Sequence, residues 1–143
     1  MNTQKSPTNA LQDIKVSVNL KLAALWASFM FLYIYVDYFH LYMPNTLSEI
    51  QAGRVFEFDI TQGFVMFALA SLTLPAVMIF LSVALPAKVN RLTNIIVAAV
   101  YIPYTLFNLV GVAWMHMYWG AGVEVALLGL VIWYAWKWPR VAV

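Results

Sequence analysis

Apolar residues fall into four long runs, about Leu20 to Tyr42, Gln62 to Leu85, Leu92 to Trp114 and Gly120 to Trp138, with short polar connections between them. Crossing roughly 30 Å of hydrocarbon takes about twenty apolar helical residues, and each run is long enough. A bilayer requires every backbone polar group to be satisfied within the spanning structure, and these runs lack the lipid-facing and lumen-facing alternation of barrel strands. The pattern therefore predicts an all-α fold: a transmembrane four-helix bundle running up-down-up-down. One stretch, Ile14 to Leu22, alternates strictly as a half-buried strand would. With no partner strand in view, it is expected to be an interfacial helix leading into the first span. Residues 1–19 then form an N-terminal segment, 20–138 the bundle and 139–143 a tail.

The connections differ in kind. In Leu85-Pro86-Ala87-Lys88-Val89-Asn90-Arg91, Pro86 ends one helix and Asn90 is placed to cap the next. Met115 to Trp119 reads as a short turn on the opposite side, so spans two, three and four are expected to be packed antiparallel neighbours. Only Met43 to Thr61 is long enough for structure of its own. There Pro44 stops span one, Asn45 or Thr46 caps a short helix through Ala52, and Gly53 ends it.

Composition strengthens the membrane reading, since 64% of residues are hydrophobic, 10% are charged and the mean hydropathy is +0.79. The first run lies behind a polar segment and leads into Asp37-Tyr38-Phe39-His40 rather than a small-x-small site, so it is expected to be a retained span. With no cysteine in 143 residues, disulfide, thiolate-metal and cysteine-nucleophile chemistry are excluded. A net charge of +2 and a pI near 8.9 do not point to nucleic acid, because the basic residues are scattered at the ends of apolar runs. Lys5, Lys15, Lys21, Lys88, Arg91, Lys137 and Arg140 all fall on one side of a four-span arrangement. Arg54 alone lies opposite, beside Glu49, Glu57 and Asp59. The positive-inside rule then places both termini in the cytoplasm. Trp133, Trp136 and Trp138 around Lys137 read as interfacial anchors at the inner side, and Tyr38, Tyr42, Trp114, Tyr118 and Trp119 as their outer counterparts.

Ionisable residues inside a span are costly and raise a functional hypothesis. Counting about 1.5 Å per residue, Asp37 lies roughly 24 Å above Lys21 and Glu124 roughly 20 Å above Lys137, which puts both in the outer half with Ser71 and Asn108. On span three Tyr101, Tyr104, Thr105 and Asn108 recur at helical spacing and form one polar stripe that should face the bundle interior. Pro75 and Pro103 each free a carbonyl one turn earlier, at Ser71 and Ala99, and kink their helices. Together these features predict an outward-opening polar pocket above an apolar inner half. Each has an ordinary reading too: hydration of Asp37, complementation of a helix dipole by Glu124, and plain interhelical hydrogen bonding by the tyrosines. His40 and His116 at the same membrane side, with Met115 and Met117, could hold a metal or, axially, a haem. No serine-hydrolase, zinc-protease, P-loop or dinucleotide motif is present, and no cofactor is required, so the chain leans away from being an enzyme.

The segments Lys21 to Ser28, Tyr35 to Phe39, Thr61 to Gly63, Met78 to Arg91 and Trp133 to Pro139 resemble a family of small bacterial four-span membrane proteins of unknown function, over nearly the whole chain after about Leu11. The resemblance implies the fold and a bacterial inner membrane, but no activity. The leading expectation is an intramembrane site around Asp37, Asn108 and Glu124 that binds or passes a proton, a cation or a small polar ligand. Two alternatives stand beside it. One is an accessory subunit or homo-oligomer, with Gly111, Gly120, Gly122 and Gly129 as close-packing points. The other is a redox or quinone-handling protein using the histidines and tyrosines.

Overall fold

A computed structural model describes residues 14–111 and 113–139; Lys5, Arg140 and most of the expected N-terminal segment and tail lie outside them. The described residues contain five helices and a short hairpin. In chain order they are α1 (Val18–His40), α2 (Thr46–Gln51), β1 (Arg54–Val55), β2 (Phe58–Asp59), α3 (Gln62–Ala84), α4 (Ala87–Phe107) and α5 (Met115–Trp136). Three of them, α1, α3 and α5, are long and apolar enough to cross a membrane. The fourth long helix, α4, does not meet that measure, because Asn90, Arg91, Thr93 and Asn94 make its first turns polar.

Local chemistry sets the boundaries. Ser17 caps α1 by accepting from the Leu20 N–H at 3.4 Å, and Thr61 caps α3 by accepting from the Phe64 N–H at 3.1 Å. Residues 14–17 have no regular structure, so the alternating stretch is neither a strand nor a separate interfacial helix. Leu85 turns extended at ψ 147°, and Pro86, also extended, opens α4 at once. The expected third span from Leu92 to Trp114 is therefore shifted towards the N-terminus. Its helix ends at Phe107, and the apolar residues after it leave the helical path through Gly111 at φ +100°. Trp114 is extended and Met115 to Trp119 is the first part of α5 rather than a turn, so the connection runs from Asn108 to Trp114. The expected loop helix is present as α2, after Asn45 at φ +68°. Antiparallel pairing of Arg54 with Asp59 and of Val55 with Phe58 adds a hairpin that its two-residue strands gave no periodicity to reveal.

Helix α1 packs against α3 on one side and α5 on the other, α5 packs on α4, and α3 meets α4 over a shorter seam. Large side chains bridge the diagonal from α1 to α4: the Trp26 and Phe29 rings meet Tyr101 edge-on, at centroid distances of 6.5 and 6.1 Å. Such pairs add about 0.5–1.5 kcal/mol beyond the area they bury. Leu22, Met78, Val97, Leu128 and Val131 complete the core. At Gly120 an added Cβ would overlap Cγ2 of Val36, so the close approach of α5 to α1 requires glycine there. Gly122 and Gly129 meet nothing within 4 Å and are not packing points within the chain. The end carrying α2 and the hairpin is the loop end; the end carrying the α3–α4 connection is the turn end.

Candidate functional site

At the loop end, α4 and α5 bring Thr105 and Glu124 together in the interior, where they are 1% and 3% exposed. The Thr105 hydroxyl adjoins the Glu124 carboxyl without meeting hydrogen-bond geometry and has no other partner among the described residues. No cation pairs with Glu124 there either, since the ion pairs among the described residues join Arg54 to Glu57 and Asp59. Across the core, Asn108 donates to the Tyr33 hydroxyl at 2.8 Å, tying the end of α4 to α1. Asp37 lies one turn beyond Tyr33 on the same face of α1. It is exposed, yet within Coulombic reach of both Tyr33 and Glu124. One buried carboxyl thus sits beneath one accessible carboxyl. In its protonated form Glu124 offers an O–H donor to Thr105; ionised, it is an acceptor only.

The remaining stripe residues serve the α3–α4 seam. Tyr101 donates to the Ser71 carbonyl, the one left without an in-helix donor by Pro75. Tyr104 and Ser71 hydroxyls share a 2.8 Å hydrogen bond, and Ser71 also donates to the Ala68 carbonyl at 2.7 Å.

A second polar cluster, at the turn end, corrects the expectation of an apolar inner half. Asn94 and Asn90 are fully buried, and Asn94 uses its whole hydrogen-bonding capacity. It donates to the Asn90 carbonyl at 2.9 Å and to Asn90 Oδ1 at 2.6 Å, and accepts from Trp26 Nε1 at 2.7 Å and the Ser82 hydroxyl at 3.2 Å. Asn90 does not cap α4, whose N-cap is Pro86; it donates to the Ser82 and Leu85 carbonyls at 2.6 and 3.4 Å, closing the end of α3. Ser82 needs that donor because α3 ends and residue 86 is proline. The signal was available in the sequence: Asn90 and Asn94 continue the Tyr101, Thr105 and Asn108 stripe down the same face. Tyr33 and Trp26 carried no comparable signal, since an aromatic in an apolar run reads as core.

Basic residues at the turn end lie over aromatic rings. Lys21 is 5.1 Å from the Tyr134 centroid, Arg91 5.6 Å from Trp136 and Lys137 4.6 Å from Trp133, while Trp138 packs against the core. Lys88 is exposed at the start of α4.

The histidines come near each other at the loop end, and His40 Nδ1 and His116 Nε2 are buried without hydrogen-bond partners among the described residues. Among the described residues no group of three or more His, Cys, Asp or Glu side chains is placed to hold a metal. A cavity of about 340 Å³ is lined by His40, Asn45, Glu49, Arg54, Phe56 and Gly111 among others. A smaller one, about 230 Å³, lies beside His116 and Trp114. Neither is lined by Asp37 or Glu124.

No curated protein and no solved structure is significantly similar to the chain. One family model does match, across residues 14–143, and by it the chain belongs to DUF6326, a family of unknown function.

Proposed function

We propose that this is a small integral membrane protein whose buried Glu124 binds, and with Asp37 relays, a proton. The observation that carries the reading is a glutamate, 3% exposed as a residue, on a membrane-length helix, with no cation paired to it among the described residues and the unpartnered Thr105 hydroxyl as its neighbour. An intramembrane carboxyl is expensive to retain and is by default a functional group. The surroundings of Glu124 favour a proton over a larger ligand, because neither loop-end cavity reaches it. In this reading α4 joins α1, α3 and α5 as a fourth span, the polar face of α4 turned inward. The loop end faces outward and the basic turn end faces the cytoplasm of a bacterial inner membrane, both termini included.

Proteoliposomes with an internal pH-sensitive dye and an imposed potassium diffusion potential test the proposal. Wild type is expected to acidify or alkalinise the lumen according to the sign of the potential. Glu124→Gln should abolish the flux and Asp37→Asn should slow it. Equal flux in wild type and Glu124→Gln, or none above empty vesicles in wild type, overturns it.

A second reading, an accessory subunit or homo-oligomer, is favoured by one observation. Gly122 and Gly129 lie on the outer face of α5 with open space where a Cβ would be, leaving room for another helix. Native mass measurement from mild detergent decides it, and a solitary monomer with no co-purifying protein counts against it.

A further inference from the structure

The loop-end cavity is where the chain's unusual backbone collects. The described non-glycine residues with positive φ are Asn45 at +68° and Phe56 at +51°, and both line it, as does Gly111 at +100°. For Phe56 this is a genuine outlier. The β1–β2 turn has two central residues, Phe56 and Glu57, a geometry that favours glycine, asparagine or aspartate at the left-handed position. Strain of this kind persists only where the surroundings over-determine it, and it clusters at ligand clamps. Here the Phe56 ring stacks on His40, with centroids 4.7 Å apart and planes at 27°. The hairpin thus carries an aromatic ring onto the end of α1 at a conformational cost that glycine would avoid.

The chemistry of the lining selects a ligand class. Glu49 faces the same cavity and has no ion-pair partner among the described residues, whereas Arg54 is engaged by Glu57 and Asp59 at 3.9 Å each. Across residues 41–61 there are three carboxylates and one guanidinium, so the local field favours a cation. A volume of about 340 Å³ suits a small organic molecule rather than a bare ion. We propose that this cavity is a receptor for an organic ammonium group, held between the Glu49 carboxylate and the aromatic ring of Phe56, which the stack on His40 fixes in place. The N–H groups of an ammonium match the two oxygens of the Glu49 carboxylate, and its charge is attracted to an aromatic face. The cavity adjoins the end of a membrane-length helix, so the ammonium can come from a free amine or from an ethanolamine lipid headgroup. The proposal uses none of the groups assigned to proton relay.

The test is a thermal-shift titration of the purified full-length protein. Ethanolamine is added in detergent, with sodium chloride at matched ionic strength as the control. In a second arm, nanodiscs of ethanolamine-headgroup lipid are compared with nanodiscs of glycerol-headgroup lipid. A saturable rise in Tm with free ethanolamine identifies a soluble amine; a rise confined to ethanolamine nanodiscs identifies the lipid. In either case Glu49→Gln should remove the shift while leaving the unliganded Tm in place. Phe56→Gly should remove it while leaving that Tm equal or higher, because glycine relieves the strained turn. Glu124→Gln should keep the full shift, which separates failure here from failure of the proton relay. The proposal is overturned if neither arm gives a rise beyond its control, or if the rise survives in Glu49→Gln and Phe56→Gly.

Discussion

Helix α3 contains a proline whose vacated carbonyl is capped by a side chain from another helix, and this makes an energetic prediction that can be isolated. Pro75 has no N–H to give Ser71, and the Tyr101 hydroxyl donates there instead. Tyr101 is 4% exposed and Ser71 is half-buried, so removing the hydroxyl leaves a bare carbonyl in a partly enclosed seam between α3 and α4. Interhelical hydrogen bonds within membranes average about 0.6 kcal/mol and reach about 1.7, while a buried acceptor left bare costs about 1–3. Tyr101→Phe keeps the ring and its edge contacts to Trp26 and Phe29, so its expected cost is about 1–2 kcal/mol. In a Pro75→Ala background residue 75 regains an N–H and can satisfy Ser71 along the helix. The same tyrosine change should then cost about 0.5 kcal/mol or less, for a coupling of about 1 kcal/mol. Reversible unfolding in mixed micelles, read by tryptophan fluorescence, gives the four stabilities. Additivity within about 0.3 kcal/mol would refute the assignment of Tyr101 as the donor that replaces Pro75.

Two further substitutions probe the packing. Gly120→Ala places a methyl group against Val36 and is expected to lower stability by about 1–3 kcal/mol. Val36→Ala in the same chain should restore most of the loss, and failure of the rescue would show that the helix crossing does not depend on that contact. Trp26→Phe removes one of the two hydrogen bonds accepted by Asn94 Oδ1 and should cost about 1–2 kcal/mol beyond its lost volume; a Tm equal to wild type would sink that account.

The helices could be read from the sequence wherever one rule dominated. Long apolar runs announced α1, α3 and α5, and Asn45, Thr46 and Gly53 bracketed the loop helix to within a residue or two. The third run misled because hydropathy does not distinguish an apolar helix from an apolar connection. Leu109 and Val110 look like span, and only the left-handed backbone at Gly111 shows that the helix has already ended. Counting the polar residues of α4 from Tyr101 onward found the loop-end half of its buried face and missed the half at Asn90 and Asn94. An asparagine beside Lys88 and Arg91 reads as a cap or a solvated end, and its burial depends on Trp26 and Ser82, which are far from it in the chain. Of the predicted site residues, Thr105 and Glu124 meet, Asn108 reaches Tyr33, and Tyr101, Tyr104 and Ser71 form a separate seam. That division depends on helix rotation, which spacing alone does not specify.

The same interior holds two kinds of polarity, and their energetic signs should be opposite. Asn94 has every donor and acceptor matched, so Asn94→Leu leaves the Trp26 N–H, the Ser82 hydroxyl and an Asn90 acceptor unmatched, at an expected cost of about 2–4 kcal/mol. Glu124 has no such set of partners. Glu124→Leu replaces a buried polar group by an apolar one of similar volume and strands little besides a threonine hydroxyl that already lacks a partner. Stability should stay level or rise by about 1 kcal/mol, the usual signature of a site that trades stability for activity. Unfolding midpoints of the two variants in one detergent are enough for the comparison. If Glu124→Leu destabilises as much as Asn94→Leu, then Glu124 is a structural link between α4 and α5, and the case for a working carboxyl at that position collapses with it.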